Sequence, residues 1–342
     1  MKPEMTDTQS KSQSDNCMGG YMVHKLFDMA QLKERTENSW LLNERLEETL
    51  ISLREKGSDR RLFSVTEDRL SQFGILRTQY PNFHHLVDWI EGRYRLCLIA
   101  GLHFSMPPIN LDGPPGIGKT QFASQLSKAL DLEFLQIPVG SMHGRIELVG
   151  GDPQWRSASV GAVAKGMLRC ESANPLLFLD ELCMVRDTDE DSVVQPLYQL
   201  LESEQRSHFR DCYLDLDMDL GQTNIITTTN DYAKLRPALK SRLTNFSIPA
   251  PGPAQMREIT HNLYKEMQRD RIYCGILPKK LSSEIISQLL FLSPREAKQH
   301  LTHGVNQAIL RGISASGRIR MKIQDLPLPA SSNYIEDQPT LH

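Results

Sequence analysis

The chain has 342 residues, of which 24% are charged and 39% hydrophobic, as in ordinary globular proteins. Its formal net charge of −3 argues against a global field that would draw the chain to nucleic acid or anionic lipid, although a local basic patch remains open. No apolar run approaches the roughly 20 residues that cross a bilayer, and the six scattered cysteines form no C-x-x-C pair. We therefore expect a cytoplasmic protein without a membrane segment, disulfide framework or zinc site.

The first hundred residues predict a disordered segment followed by helices. Residues 1–23 are polar and lack the apolar core of a signal peptide, so we expect disorder there. Residues 24–100 show helical spacing and form a helical N-terminal region. A helical hairpin that packs on the rest of the protein and a partner-binding arm both fit this pattern. Its first apolar stripe consists of Leu41, Leu42, Leu46, Leu50 and Leu53.

One octapeptide carries the strongest chemical signal of the chain. It fits the phosphate-loop pattern G-x-x-x-x-G-K-[ST] without a mismatch, follows a short apolar run at 107–111 and precedes a helical pattern. Its glycines let the backbone turn N–H groups toward phosphates. Lys119 can reach the β- and γ-phosphates, and the Thr120 hydroxyl can ligate Mg²⁺. The octapeptide is Gly113, Pro114, Pro115, Gly116, Ile117, Gly118, Lys119 and Thr120.

Short apolar runs alternate with helical patterns over residues 101–251, which predicts an α/β domain with a parallel sheet sandwiched by helices. The candidate strands are 134–137, 176–179 and 224–229, and the alternation over 214–220 predicts a half-buried strand.

Beyond the α/β domain the pattern is helical only. Residues 252–325 therefore predict a small all-α lid domain, with helices at 256–267, 281–290 and 295–313. The remaining residues, 326–342, predict a flexible tail.

Polar side chains follow two of the candidate strands. Asp180 and Glu181 come directly after the apolar run 176–179, at the strand end where ligands bind in such sheets. Asp180 is suited to hold Mg²⁺, and Glu181 to take a proton from an attacking water. Asn230 follows the Thr-rich strand, where its amide can orient that water and sense the γ-phosphate. A turn-forming role before Asp231 is the alternative.

Three arginines are candidates for contacts with phosphate. Arg242 can stabilise charge on the γ-phosphate of a neighbouring subunit, and Arg236 is its rival for that role. Arg295 can reach the nucleotide from the second domain. Alternatively, it is an ordinary first-turn residue that follows an N-cap Ser293 and Pro294.

Residues 105–315 resemble the AAA+ ATPases and, more narrowly, the ATPase module of Lon-like proteases. The stretch 174–182 is similar to the second nucleotide motif of Lon, and 200–220 is similar to the Lon segment that follows it. The resemblance implies ATP and Mg²⁺ as cofactors, Asn230 as sensor 1, Arg242 as the arginine finger and Arg295 as sensor 2. It also implies a homo-oligomeric ring, expected to be hexameric, with ATP at the subunit boundaries.

The chain departs from the Lon-like pattern in three places. Too few residues follow the helical domain for Lon's Ser-Lys protease domain, so we expect an ATPase that is not itself a protease. About a hundred unfamiliar residues stand in place of Lon's N-terminal region. Within 150–161, Lon-like proteins place an aromatic residue just before a Val-Gly or Ile-Gly step, where this chain has Ser159. Trp155 is the neighbouring aromatic that could substitute, offset by some residues, and the alternative is that it is an ordinary partly buried aromatic residue.

These features predict an ATP-driven AAA+ motor that hydrolyses ATP with Mg²⁺ and remodels or unfolds a protein client. Its catalytic candidates are Glu181, Lys119, Asn230 and Arg242. Three alternatives remain: a DNA-associated motor or loader, an ATP-gated scaffold with little turnover, and a regulatory subunit of a separate protease.

Overall fold

The structure is a computed structural model that describes residues 17–18, 21–37, 44–155, 157–185, 192–312, 319 and 321–327. The chain forms two compact units. The first contains Met1–Pro115 and Lys119–Pro249, and the second contains Gly116–Gly118 and Ala250–His342. Most of the predicted disordered segment 1–23 and of the predicted tail 326–342 lies outside the described residues, as do Leu41 and Leu42 of the predicted stripe.

The N-terminal region combines helices with three short strands. The strands β1 (Cys17–Met18), β2 (Tyr21–Lys25) and β3 (Asp59–Arg61) form an antiparallel sheet that the sequence did not predict. The helices are α1 (Met29–Glu37), α2 (Glu44–Lys56), α3 (Leu70–Gln79) and α4 (His84–Ala100). Helix α2 buries Leu46, Leu50 and Leu53 in the core shared with the α/β domain, which is a packing role for the predicted stripe.

A five-stranded parallel sheet forms the centre of the first unit. Its strands are β4 (Ile109–Asp112), β5 (Phe134–Ile137), β6 (Leu176–Leu179), β9 (Asn224–Thr229) and β10 (Thr244–Ser247), while β7 (Phe209–Asp211) and β8 (Leu216–Met218) form a separate antiparallel hairpin. The strand order β10-β4-β9-β6-β5 places β4 and β6 on either side of β9. The three strands predicted at 134–137, 176–179 and 224–229 are confirmed.

The predicted strand over 214–220 is wrong in its length, because β8 contains only Leu216–Met218. Asp215 has a left-handed φ of 56°, which turns the chain between β7 and β8.

Six helices of the first unit accompany the central sheet. They are α5 (Lys119–Leu130), α6 (Arg145–Val149), α7 (Ala162–Met167), α8 (Val194–Leu201), α9 (Ser203–Arg206) and α10 (Pro237–Lys240). Strand β6 is buried along its whole length, as expected for an inner parallel strand covered on both faces.

The second unit is built from α11 (Pro253–Arg269), α12 (Ser283–Leu289) and α13 (Pro294–Arg311). Helix α13 begins with a capping box, in which Ser293 Oγ accepts from the Glu296 N–H and the Ser293 N–H donates to Glu296 Oε2 at 2.8 Å. The hydrophobic core of the second unit includes Met256, Leu263, Ile285, Leu301 and Val305. In the described part of the chain, we find no helix with the length and apolar character needed to cross a membrane.

Candidate nucleotide-binding site

The octapeptide loop joins β4 to α5, and its backbone explains its glycines. Gly116 and Gly118 have φ values of 81° and 100°, in the left-handed region that glycine adopts without strain. Among the described residues, no group accepts a hydrogen bond from the N–H groups of Gly116, Ile117 or Gly118. A curled loop with available N–H donors before a twelve-residue helix fits the phosphates of a nucleotide.

Lys119 is the buried cation of this loop, with only 8% of its surface exposed. Its Nζ donates to the carbonyl oxygens of Gly113 and Pro114 and, at 2.8 Å, to Asn230 Oδ1. Burial lowers the pKa of Lys119, while the charges of Asp112 and Asp180 oppose that shift. The structure therefore brings the lysine of the loop and the amide after β9 into direct contact.

Asp180 is held at the end of β6 by a residue that the sequence analysis did not single out. The hydroxyl of Thr228 in β9 donates to Asp180 Oδ1 at 2.6 Å, and Thr228 Oγ1 itself accepts from the Glu181 N–H at 2.8 Å. Thr228 is almost completely buried. The strand register could have identified Thr228: β6 and β9 are parallel neighbours in which Leu179 pairs with Thr227, so Thr228 lies beside Asp180.

Glu181 has an unusual backbone, with φ 58° and ψ 48°. Gly140 lies directly against it: its N–H donates to the Asp180 carbonyl at 3.1 Å, and an added Cβ would be 2.6 Å from both Glu181 Cβ and the Glu181 carbonyl oxygen. Only a residue without a side chain fits there. Gly140 thus shapes the turn that presents Glu181, whose side chain is exposed.

A polar network centred on buried Asn110, Thr227 and Thr229 fixes the strand ends around the loop. Asn110 Nδ2 donates to Thr229 Oγ1 at 2.9 Å and to Asn245 Oδ1 at 2.7 Å. Thr227 Oγ1 donates to Asn110 Oδ1, and Thr229 Oγ1 donates to Asp112 Oδ1, both at 2.8 Å. These side chains join β10, β4 and β9, so they hold the edge of the sheet from which the loop and Asn230 emerge.

Within one chain, Arg242 is bound to residues away from the loop. Its Nε lies 2.8 Å from Glu202 Oε2, its Nη1 donates to the Ala238 carbonyl at 2.7 Å, and its guanidinium lies 5.2 Å from the ring centre of Tyr198. Its contacts are therefore with the ends of α8 and α10. Arg236 is the N-cap residue of α10.

The remaining predicted residues are placed by the helices that carry them. Thr120 follows Lys119 in the first turn of α5 and is partly exposed. Arg295 lies in the first turn of α13, as the capping pattern indicated. Its N–H donates to the Gly116 carbonyl at 3.2 Å within the second compact unit. The roles of the Thr120 and Arg295 side chains remain predictions.

The two ends of the stretch 150–161 lie together beside β7. The Gly151 N–H donates to the Ser159 carbonyl at 3.3 Å, and the Gly161 N–H donates to Asp211 Oδ2 at 2.9 Å. Trp155 is 59% exposed near the middle of this stretch. Its predicted alternative as an ordinary partly buried aromatic residue is therefore not favoured.

Residues 109–248 match the ATPase family associated with various cellular activities, AAA. Among curated relatives, the chain is 26% identical to the Lon protease of Mycoplasma genitalium over 233 residues, which are 68% of this chain and 29% of the relative. It is 32% identical to the Lon protease of Cytophaga hutchinsonii over 142 residues, which are 42% of this chain and 18% of the relative. The chain thus spans less than a third of these relatives.

Solved structures with a similar fold include closed-state Hsp104 with ATPyS and FITC casein. It has a TM-score of 0.57 at 14% identity and covers 72% of this chain and 48% of that one. The extended S. cerevisiae Hsp104:casein complex gives the same TM-score and identity, with 72% and 49% covered. The predicted parallel-sheet fold of the AAA+ type and the resemblance to a Lon-like ATPase module are confirmed.

Proposed function

We propose, from the AAA domain that residues 109–248 form, that this chain binds ATP with Mg²⁺ and hydrolyses it. One observation carries the proposal: Lys119 of the phosphate loop contacts Asn230 at 2.8 Å, while Thr228 of β9, the strand that Asn230 follows, holds Asp180. Three distant parts of the sequence therefore present a cation, a carboxylate and an amide at one edge of a parallel sheet, where such sheets bind ligands.

Each residue of this group has a distinct task. The N–H groups of Gly116–Gly118 and the Lys119 ammonium bind the phosphates, and Thr120 with Asp180 holds Mg²⁺. The metal, when bound, supplies charge neutralisation on the phosphate oxygens. Glu181 accepts the proton of the attacking water, and Asn230 orients that water.

We further propose a homo-oligomeric, hexameric ring that remodels a protein client, with Arg242 acting on the nucleotide of the neighbouring subunit. Its support is the similarity to Lon proteases and to Hsp104, which is seen with casein. The contacts of Arg242 within its own chain are with Glu202 and Tyr198, which lie outside the phosphate loop, and this is compatible with a role in trans.

A comparison of three variants tests the nucleotide site. We expect Lys119→Ala to lose ATP binding, whereas Glu181→Gln should bind ATP and lose turnover by about 10²- to 10⁴-fold. Lys128→Ala is the matched control, because Lys128 is an exposed lysine of the same helix. The measurements are calorimetric ATP affinity and phosphate release. Equal ATP affinity of the wild type and Lys119→Ala would refute the proposal.

The ring is tested by light scattering with and without a slowly hydrolysed ATP analogue. We expect the mass of a hexamer with the analogue, and a monomer under both conditions would count against the ring. The client is tested by capture with the Glu181→Gln variant in ATP, since a form that binds without turnover should retain it. Captured protein supports a remodelling motor, and captured DNA that dissociates steeply with salt indicates a DNA motor instead.

A further inference from the structure

A cavity of about 630 Å³ lies apart from the phosphate loop, between helix α2 and helix α7 of the first unit. Both helices and the stretch 150–161 contribute to its wall. Its volume is in the range of ligand-binding cavities, and nothing in the proposed ATPase chemistry uses it.

The wall of this cavity is strongly basic. Its charged residues are one acid, Glu48, and four bases: Arg45, Lys56, Lys165 and Arg169. None of the four bases forms an ion pair with a carboxylate of the described residues, in contrast to Arg77 or Arg210, which each contact two acids. Four unpaired cations around one cavity repel one another, so a bound anion would be stabilised there.

The spacing along α2 gives the length of the ligand. Arg45, Thr49, Ser52 and Lys56 follow one another at intervals of four, three and four residues, so they lie on one face of the helix. At 1.5 Å per residue, this face is about 16 Å long. An extended peptide of about five residues has the same length, whereas a single phosphate cannot reach both ends.

The other wall residues distinguish between extended anions. Leu53, Val160 and Leu168 are apolar, and Glu48 stands among the bases. A nucleic acid would place a phosphate at every step, including beside Glu48. An extended acidic peptide instead alternates carboxylates with neutral side chains that can pack on the apolar wall. The wall is anchored at Val160, because the neighbouring Gly161 N–H donates to the buried Asp211.

We propose that this cavity binds an acidic, extended polypeptide segment of the client. The inference rests on the proposed remodelling function for its biological role, but the binding itself requires neither nucleotide nor turnover. Arg45 and Lys56 contact carboxylates at the two ends of the segment, and Lys165 with Arg169 contacts it from the opposite wall.

The test is fluorescence anisotropy of the full chain with a labelled seven-residue peptide that has Glu at alternate positions. We expect saturable binding that weakens with salt, and a matched peptide with Gln for every Glu should bind at least about tenfold more weakly. A single-stranded oligonucleotide should compete poorly. No binding of the Glu peptide, equal binding of the Gln peptide, or stronger binding of the oligonucleotide would overturn the proposal.

Two double variants replace the basic side chains of the two opposite walls separately, so the site can still be tested if one variant fails to fold. Arg45→Gln/Lys56→Gln and Lys165→Gln/Arg169→Gln should each weaken peptide binding by about tenfold. The control, Arg54→Gln/Lys128→Gln, removes two exposed bases outside the cavity, one of them on α2 itself, and should bind like the wild type. Wild-type affinity in both cavity variants would refute the site.

ATP affinity separates this proposal from the proposed function. The cavity variants should keep wild-type ATP affinity, and Lys119→Ala should keep wild-type peptide affinity without nucleotide. If Lys119→Ala bound ATP normally, the ATPase assignment would fail while the peptide result stood. If ATP binding behaved as expected but the Glu peptide did not bind, only the cavity assignment would fail.

Discussion

Lys119 Nζ donates a 2.8 Å hydrogen bond to Asn230 Oδ1 across 111 residues of sequence. The bond links the helix that follows β4 to the residue that follows β9, two adjacent strands in the sheet. Lys119 also has two carbonyl partners in its own loop, so Asn230 is not required to hold the ammonium in place. The position of the Asn230 amide beside the lysine of the loop instead suits the role in turnover that we propose for it.

We predict that Asn230→Ala lowers kcat by about 10- to 100-fold and changes the ATP KM much less, because a positioned polar group acts mainly in the transition state. The measurement is steady-state phosphate release over a range of ATP concentrations. A variant with normal kcat and a raised KM would show that Asn230 only helps to bind nucleotide.

We predict that Thr228→Val impairs the Mg²⁺ site and the fold around it. The substitution keeps the volume but removes the hydroxyl that joins Asp180 to the Glu181 N–H, and it leaves that N–H without its partner. The loss should cost about 1–3 kcal/mol of unfolding free energy and raise the Mg²⁺ concentration needed for half-maximal turnover. Thr228→Ser keeps the hydroxyl and should restore Mg²⁺ dependence. If Thr228→Val behaved like Thr228→Ser, the hydroxyl would have no such role.

Some residues of the site could be predicted from the sequence because they belong to local motifs, whereas others could not because they act on distant parts of the chain. Lys119, Asp180 and Asn230 lie in or directly after predicted elements, so motif and strand order were enough to find them. Thr228 and Gly140 act on residues far away in sequence, and only the strand register and the close approach of two backbones reveal them.

The missed strands have a similar physical cause. Strand β3 contains only Asp59–Arg61, too short for a periodic signal, and it is stabilised by pairing with β2 and by the Ala173 N–H, which donates to the Arg61 carbonyl at 2.8 Å. Such strands depend on partners that a local pattern does not contain. Strand β6 was predictable because continuous burial requires a continuous apolar run.

We predict that Gly140→Ala lowers turnover more than it lowers ATP affinity. The added Cβ would be 2.6 Å from Glu181 Cβ and its carbonyl oxygen, so the turn that presents Glu181 must shift. Phosphate release and calorimetric ATP affinity measure the two effects. Gly74→Ala and Gly92→Ala are matched controls in helices α3 and α4, where a Cβ meets nothing within 4 Å, and they should leave turnover unchanged. Equal turnover in Gly140→Ala and these controls would contradict the prediction.

We predict that Arg242→Ala retains ATP binding but lowers turnover by about 10³-fold or more, as loss of an arginine finger does. Arg236→Ala removes the neighbouring rival cation and should keep most of the turnover. If the proposed finger acts in trans, mixing Arg242→Ala with Lys119→Ala should recover part of the activity at interfaces that combine an intact loop with an intact finger. A slower Arg236→Ala with a normal Arg242→Ala would assign the finger to Arg236.

A final prediction concerns Asp211, a fully buried carboxylate that accepts N–H hydrogen bonds from Gly161, Tyr213 and Leu214. Burial raises the pKa of Asp211 to about 6, although the three hydrogen bonds oppose the shift. Its folded pKa is above the unfolded value of 3.8, so its favourable contribution to stability is complete below about pH 4 and is lost as pH rises through about 6.

Asp211→Asn isolates this contribution, since an amide of the same size does not titrate. The unfolding free energy of the wild type minus that of Asp211→Asn should fall by about 2 kcal/mol between pH 4 and pH 7. Urea unfolding of both proteins at several pH values measures the difference, and other titrating groups cancel in it. A difference that stays constant over this range, or increases with pH, would show that the three N–H donors outweigh burial and keep Asp211 ionised.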